Sequence, residues 1–258
     1  MIHERDSFGS IFGSIPLAPS SDCSYFPGRP STARAFRVRD DVTPEFLESA
    51  LNRGYRRCGD IYYQQFCRAC NLCINYRVLV EPFTPTKSQK RVARRGQCIE
   101  SRVGPPVPSN EKAAIYLAYQ YQQHHMKPIA GTESKEFDRE DALTTMQFQM
   151  YQNPSSTSEL ELFLDGRLVG FGIFDVAMTS ASAVYFVYDP EFSRYSLGTL
   201  AILRELAWCK QQGIAALQLG YFIPGHAKML YKQNFQPGEY LHRDTCEWRT
   251  TPPDLLGF

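Results

Sequence analysis

The amino-acid sequence predicts a mixed α/β (α+β) protein in two lobes, a smaller cysteine-containing lobe followed by a larger one. Three observations carry this expectation. Most of the eight cysteines lie between residues 23 and 98. A polar, Pro-rich stretch from Gly104 to Asn110 then interrupts the chain, and beyond it strand-like and helix-like segments alternate. With 258 residues, 43% of them hydrophobic, each lobe has enough apolar material for a core.

The elements follow in order. Residues 1–22 are rich in Ser, Gly and Pro and read as a flexible N-terminal arm. In the first lobe, 23–103, Thr43 caps a helix with Pro44 at its first position. Phe46, Leu47, Ala50 and Leu51 share one face of it, and Gly54 ends it. Tyr76–Val80 reads as a strand stopped by Pro82 and Pro85. In the second lobe, 110–250, Asn110 caps a helix running to about Met126. Leu160–Leu164 and Leu168–Phe174 are strands joined by Asp165-Gly166, a strong hairpin signal. Ala183–Tyr188 is a third strand, and a helix from about Ser196 to Gln212 ends at Gly213. Ala215–Gly220 is a fourth strand, followed by a short helix near Ala227–Lys232, a strand near Tyr240 and a tail at 251–258. Helix, three strands, helix, strand, helix, strand is the order of the acetyltransferase-like (GNAT-like) fold, in which an activated acyl group meets an amine.

Composition narrows the function classes. Formal net charge is only +1, so any nucleic-acid contact has to come from local clustering. No apolar run approaches the ~20 residues of a membrane span, and the N-terminus has no signal-like apolar region. A long chain of this kind with eight cysteines reads as a cytoplasmic protein with reduced or metal-binding thiols.

Five stretches carry chemistry. Tyr185 to Ala201 is a strand, a loop and a helix start, where Arg194, Ser196 and Gly198 offer a helix N-terminus suited to phosphate. An ordinary strand-to-helix connection is the alternative, and the single glycine weakens a coenzyme A reading. In Gly220 to Phe235, Lys228, Tyr231 and Lys232 share one helical face, next to Tyr221. Cys67-Arg-Ala-Cys70-Asn-Leu-Cys73 can wrap one zinc ion or iron–sulfur cluster with Cys23 as fourth ligand, or it can be a set of reduced thiols. Lys87, Lys90, Arg91, Arg94 and Arg95 form a basic run and Arg53, Arg56 and Arg57 a second patch, beside Tyr55, Tyr62 and Tyr63. Together they suit an RNA-facing surface.

The residues then resemble a known family. Cys23-Ser-Tyr-Phe-Pro-Gly-Arg29, Gly54-Tyr-Arg-Arg-Cys-Gly59, the three-cysteine run and Phe83 to Arg91 occur in one order with Tyr188-Asp-Pro190, Ser196-Leu-Gly198 and Leu219-Gly-Tyr-x5-Lys-Met-x-Tyr-Lys232. They resemble the aminoacyl-tRNA–protein transferases of the N-degron pathway, most closely the bacterial leucyl type, over about residues 23–232. The resemblance implies transfer of an amino acid, leucine before arginine, from aminoacyl-tRNA to the α-amine of proteins beginning with Asp or Glu. Such a product carries a degradation signal. The chemistry needs no added cofactor, because the ester is already activated; a cysteine-bound metal centre occurs in some members. His226 stands where relatives commonly have Cys, and Cys58 where Ser is usual. On this reading Asp189 holds or deprotonates the amine, with His226 as a second candidate. Arg56, Arg57, Lys228 and Tyr221 meet the acceptor, and Lys87, Lys90, Arg91, Arg94 and Arg95, with Arg194, Ser196, Gly198, Tyr231 and Lys232, meet tRNA. A coenzyme A-dependent N-acetyltransferase and a non-catalytic thiol- or metal-based RNA-binding sensor are the competing classes.

Overall fold

The computed structural model describes residue 12, residues 14–123 and residues 139–255. Most of the expected N-terminal arm, the end of the 110–126 helix and the last residues of the tail therefore lie outside the described residues. The first lobe contains β1 (Ser21–Asp22), β2 (Pro30–Ser31), β3 (Ala33–Arg37), α1 (Pro44–Asn52), β4 (Arg56–Cys58), β5 (Ile61–Gln65) and β6 (Ile74–Leu79). Next come α2 (Lys87–Arg95), β7 (Ile99–Gly104), α3 (Asn110–Gln123) and α4 (Arg139–Met146). The remainder is β8 (Thr157–Leu164), β9 (Arg167–Val176), β10 (Ser180–Tyr188), α5 (Leu197–Gln211), β11 (Ala216–Phe222), α6 (Ala227–Leu230), β12 (Gly238–His242) and β13 (Glu247–Arg249).

Local chemistry accounts for the well-signalled elements. The Thr43 side chain accepts a hydrogen bond from the Phe46 amide and Pro44 opens α1. Asp165 and Gly166 both take positive φ, 50° and 80°, the backbone that a two-residue hairpin between twisted strands requires. The basic run is itself a helix, α2, although it lacks apolar periodicity. Its start is a capping box in which the Thr86 side chain accepts from the Gln89 amide while the Gln89 side chain accepts from the Thr86 amide.

An eight-stranded sheet, in the order β13-β12-β6-β11-β10-β9-β8-β7, runs through both lobes. Among its described pairs only β10 and β11 are parallel. Helix α5 packs on one face, with Leu197, Leu200, Ala201 and Leu206 against Val78, Leu160, Leu217 and Phe174. Helices α3 and α4 cover the other face, where Ile115, Tyr116 and Met146 share a cluster with Phe171 of β9. β6 lies between β12 and β11, so the break expected at 103–110 does not separate two sheets. The physical cause is the apolar face of β6: Ile74, Tyr76 and Val78 are buried and need the shared core.

The described part of residues 1–22 also departs from a free arm. Phe12 is 2% exposed and sits 5.1 Å from Tyr55 and 5.3 Å from Phe46, centroid to centroid. A buried aromatic side chain of that size anchors the segment to the first lobe. A small antiparallel sheet, β3-β5-β4, stands beside that cluster. No helix among the described residues is long and apolar enough to cross a membrane.

Candidate active site

The parallel pair β10–β11 creates the site by coming apart. The strands pair only from Ser180↔Ala216 to Ser182↔Gln218, although β10 continues to Tyr188 and β11 to Phe222. Past that point the facing backbone groups need other partners. Arg56, from β4, is driven into the fork: one guanidinium nitrogen donates to Ser182 Oγ at 2.7 Å and another to the Ala183 carbonyl. Gly220 makes room for it. Its φ is +79°, and a Cβ there would stand 3.2 Å from the Arg56 guanidinium, tight contact on top of strained backbone.

The fork opens into a cavity of about 740 Å³. Its walls come from β10 (Tyr185, Phe186, Tyr188), β11 (Leu219, Gly220, Tyr221), the stretch of α5 from Leu197 to Glu205, and the segment that begins with α6 (Lys228, Met229, Tyr231, Lys232). Ser196, Leu197, Gly198 and Thr199 present the N-terminal turn of a 15-residue helix to it, the positive end of the macrodipole. Ser196 takes φ 55° and its side chain makes no capping bond.

The cations of this wall are of two kinds. Lys228 is exposed. Lys232 is buried, donates from Nζ to the Tyr221 carbonyl and has Met229 Sδ at 3.5 Å. Burial, with the nearby Arg56 charge, holds its amine down at about 7. Tyr221 is itself fixed, its hydroxyl accepting from the Gln65 amide at 3.1 Å.

The basic helix α2 lies against α5: Gly96, at its C-terminus, is so close to Leu200 that a Cβ would stand 2.6 Å from Leu200 Cδ2. Arg95 donates to the Arg194 carbonyl, which ties the basic run to the loop before α5. Lys87, Lys90, Arg91, Arg94, Arg95 and Arg194 are all exposed. The two phosphate-suited stretches of the sequence are therefore neighbours in space, although 99 positions separate Arg95 from Arg194 in the chain.

Three expected site residues are placed elsewhere. Arg57 points to the opposite side of β4 from Arg56 and is spent in a buried pair with Asp175, Nε to Oδ2 and Nη2 to Oδ1 both at 2.7 Å. Adjacent strand residues face opposite ways, so only one of the two arginines can reach the cavity. Asp189 does not line the cavity either. Its Oδ1 accepts from the Glu191 amide at 3.1 Å and its Oδ2 from Arg167 at 2.5 Å, so it caps the turn that follows β10. His226 precedes α6 and lies edge-on to Tyr25 and Phe26, 5.5 and 6.2 Å from their ring centroids. Residues not foreseen as site residues complete the walls: Tyr25, Tyr63, Tyr119 and Glu205. Tyr63 was legible in the tyrosine clustering beside the arginine patch and Tyr25 in the Cys23–Arg29 stretch, whereas Tyr119 and Glu205 carried no such signal.

Cys23, Cys67, Cys70 and Cys73 do come together around a second, smaller hollow with Arg29 and Arg243. Tyr25 lines both hollows. Burial and then the neighbouring Cys67, Cys70 and Cys23 push the Cys73 thiol up to about 12, because each added thiolate repels the next. A bound cation would reverse that repulsion, so the donor set has the right chemistry for a thiophilic metal. Among the described residues no three such side chains stand in metal-holding geometry, and Cys67 Sγ instead lies 3.7 Å from the Thr32 carbonyl.

Comparison with known proteins agrees over nearly the whole chain. Residues 21–91 match the family described as arginine-tRNA-protein transferase, N terminus, and residues 111–242 match its C terminus. An aspartate/glutamate leucyltransferase from Leptospira interrogans is 33% identical over 235 residues, 91% of this chain and 89% of the relative. One from Helicobacter hepaticus is 32% identical over 219 residues, 85% and 88% of the two chains. Among solved structures, L-PGS from Bacillus licheniformis is similar over 80% of this chain and 66% of its own, with 15% identity and a TM-score of 0.46.

Proposed function

The chain belongs to the arginine-tRNA-protein transferase family of tRNA-dependent aminoacyltransferases, and from that premise we propose that its donor is leucyl-tRNA and its acceptor a protein beginning with Asp or Glu. The names of its relatives support this donor and acceptor. The observation that carries it here is the arrangement of the cavity: the phosphate-suited start of α5 lines it together with the cations Arg56, Lys228 and Lys232, and outside it Arg95 ties the basic helix α2 to the loop before α5.

The reaction is aminolysis of an ester. The acceptor nitrogen attacks the ester carbonyl carbon, the new C–N bond forms, the C–O bond to the ribose breaks, and the amine proton ends on the departing ribose hydroxyl. An α-amine has a reference pKa of about 7.7–8.0, so a fair share is neutral at pH 7 and positioning does most of what is needed. The terminal phosphates of tRNA lie along α2 and the α5 N-terminus. The acidic side chain of the acceptor is met by Lys228 and the Arg56 edge, which offset its desolvation. The product, with leucine at its N-terminus, is a degradation signal.

The test supplies labelled leucyl-tRNA, arginyl-tRNA and acetyl-CoA separately, with peptides beginning with Asp, Glu, Asn, Gln or Lys. Leucine should appear on the Asp and Glu peptides and scarcely on the others. Label from arginyl-tRNA alone would overturn the donor, and equal labelling of the Lys peptide the acceptor.

The thiol hollow belongs to the same proposal. Cys23, Cys67, Cys70 and Cys73 would hold a zinc ion or an iron–sulfur cluster once their side chains close on it, cross-linking the β1–β2 segment to the 67–73 loop beside Tyr25. Protein purified without oxygen should contain stoichiometric zinc or iron, and Cys73→Ser should release it and lower the unfolding temperature. Metal-free protein of undiminished stability and transfer activity would leave these thiols as packing.

A further inference from the structure

Helix α5 turns Gly198, Ala201, Ile202 and Glu205 toward the cavity, one helical face at i, i+3, i+4 and i+7 spacing. The first three are the small and apolar residues a wall over a sheet requires. Glu205 is not: it is 3% exposed, and its Oε2 has no hydrogen-bond partner. Such a group costs free energy in the folded protein, and one in a cavity wall calls for an explanation.

The other buried acids among the described residues, Asp189, Asp175 and Glu159, show what a structural acid has here; Asp189 has Arg167 and the Glu191 amide. Asp175 has Arg57 and the Thr157 hydroxyl. Glu159 has Lys112, the Val107 amide and the Tyr151 hydroxyl. No described cation pairs with Glu205. The titratable groups that feel its charge are Cys209, on its own helix, and Tyr231, on the segment packed opposite. Burial by itself pushes its carboxyl up to about 8. A cation brought by a ligand would supply the partner that the fold withholds.

We propose that Glu205 binds the α-ammonium group of the donor aminoacyl ester, with Ala201, Ile202 and Leu219 taking the donor's aliphatic side chain. This rests on the donor reading above. Two amines enter the cavity during transfer, and they differ in what they need. The acceptor amine attacks only after losing its proton, and a carboxylate against it would keep the proton on. The donor ammonium makes and breaks no bond, so a fixed anion serves it throughout. Ile202 and Ala201 lie one turn before Glu205 on the same face, so one small amphipathic amino acid can reach both. A donor whose amine is acylated brings no charge and leaves Glu205 buried and unpaired, so the site would also reject N-blocked aminoacyl-tRNA.

Two probes test this: 3′-leucylamido-3′-deoxyadenosine, which mimics the ester with a stable amide, and its N-acetyl derivative. Their affinities are measured by calorimetry on the full chain, for wild type and for Glu205→Gln. Wild type should prefer the free amine by about ten- to a hundredfold, as for a charged hydrogen-bonded group. Glu205→Gln should lose that preference by weakening the free-amine probe, and KM for leucyl-tRNA should rise while kcat changes little. Its unfolding temperature should be equal to or above that of wild type, since no native contact is removed. If the Gln variant does not fold, the preference is read on Glu205→Asp, which keeps the charge one methylene further back and should be intermediate. A wild type without the preference, or a folded Gln variant that keeps it, or, where Gln does not fold, an Asp variant with the undiminished wild-type preference, overturns the proposal while leucyl transfer stands. A wild type that transfers no leucine overturns the donor reading and this assignment with it.

Discussion

Arg56 and Arg57 are neighbours on one short strand, both buried, and they do opposite things. Arg57 is closed into a pair with Asp175 that ties β4 to β9, with Gly59 and Thr157 completing its hydrogen bonds. Arg56 reaches the fork between β10 and β11, where cavity charges stand without full partners: Lys232 with its amine held down, Glu205 with its carboxyl pushed up. Burial alone therefore does not distinguish architecture from function in this molecule; completeness of partners does. A paired buried charge fixes the fold, while an unpaired one at a cavity costs stability that a ligand can return.

The sharpest way to break that contrast is to remove the paired arginine. Arg57→Ala leaves Asp175 buried and alone and should cost about 3–5 kcal/mol in urea unfolding. A companion Asp175→Leu should recover much of it, because the stranded charge is then gone. A loss under about 1 kcal/mol, the range of an exposed pair, would place Arg57 with the functional cations after all.

The unpaired side predicts a pH dependence of opposite character. Lys232 titrates at about 7 in the folded protein against an ordinary 10.5, so between those values the unfolded chain binds more protons and wild-type stability rises with pH. The burial penalty is fully present below pH 7 and relieved toward pH 10. Lys232→Met lacks that rise. The stability of the Met variant relative to wild type should thus fall, by on the order of a few kcal/mol, as pH goes from 7 to 10. Parallel curves for the two proteins would show that the amine is not held down.

The smallest effect on stability should come from the exposed charges. Replacing Lys87, Lys90 and Arg91 by Ala should change unfolding free energy by about 0.5 kcal/mol or less. It should weaken tRNA binding across tRNA sequences and flatten its salt slope by about 0.7–0.9 for each phosphate no longer neutralised. An unchanged slope would make α2 ordinary surface and confine tRNA binding to the cavity mouth.

Much of the fold was written locally. Thr43-Pro44 opens α1, Asp165-Gly166 turns the β8–β9 hairpin and Gly213 follows the end of α5, because caps and turns depend on a few adjacent residues. The capping box at Thr86 and Gln89 went unread, because charge without apolar periodicity concealed the helix it starts. The motifs around Ser196, Gly198, Lys228 and Lys232 marked the cavity walls before any packing was known. Other features depended on tertiary structure. A strand's residues alternate sides, but which side faces the fork is set by how β4 docks on β10, so Arg56 and Arg57 were indistinguishable in the chain. Asp189 beside Pro190 had the residue type of a base, and its place opposite Arg167 made it a cap. Glu205 looked like any acid on a helix. Only the assembly of sheet, α5 and the α6 segment decides which polar groups lose their water without gaining a partner, because desolvation depends on everything packed around a group and not on its neighbours in sequence.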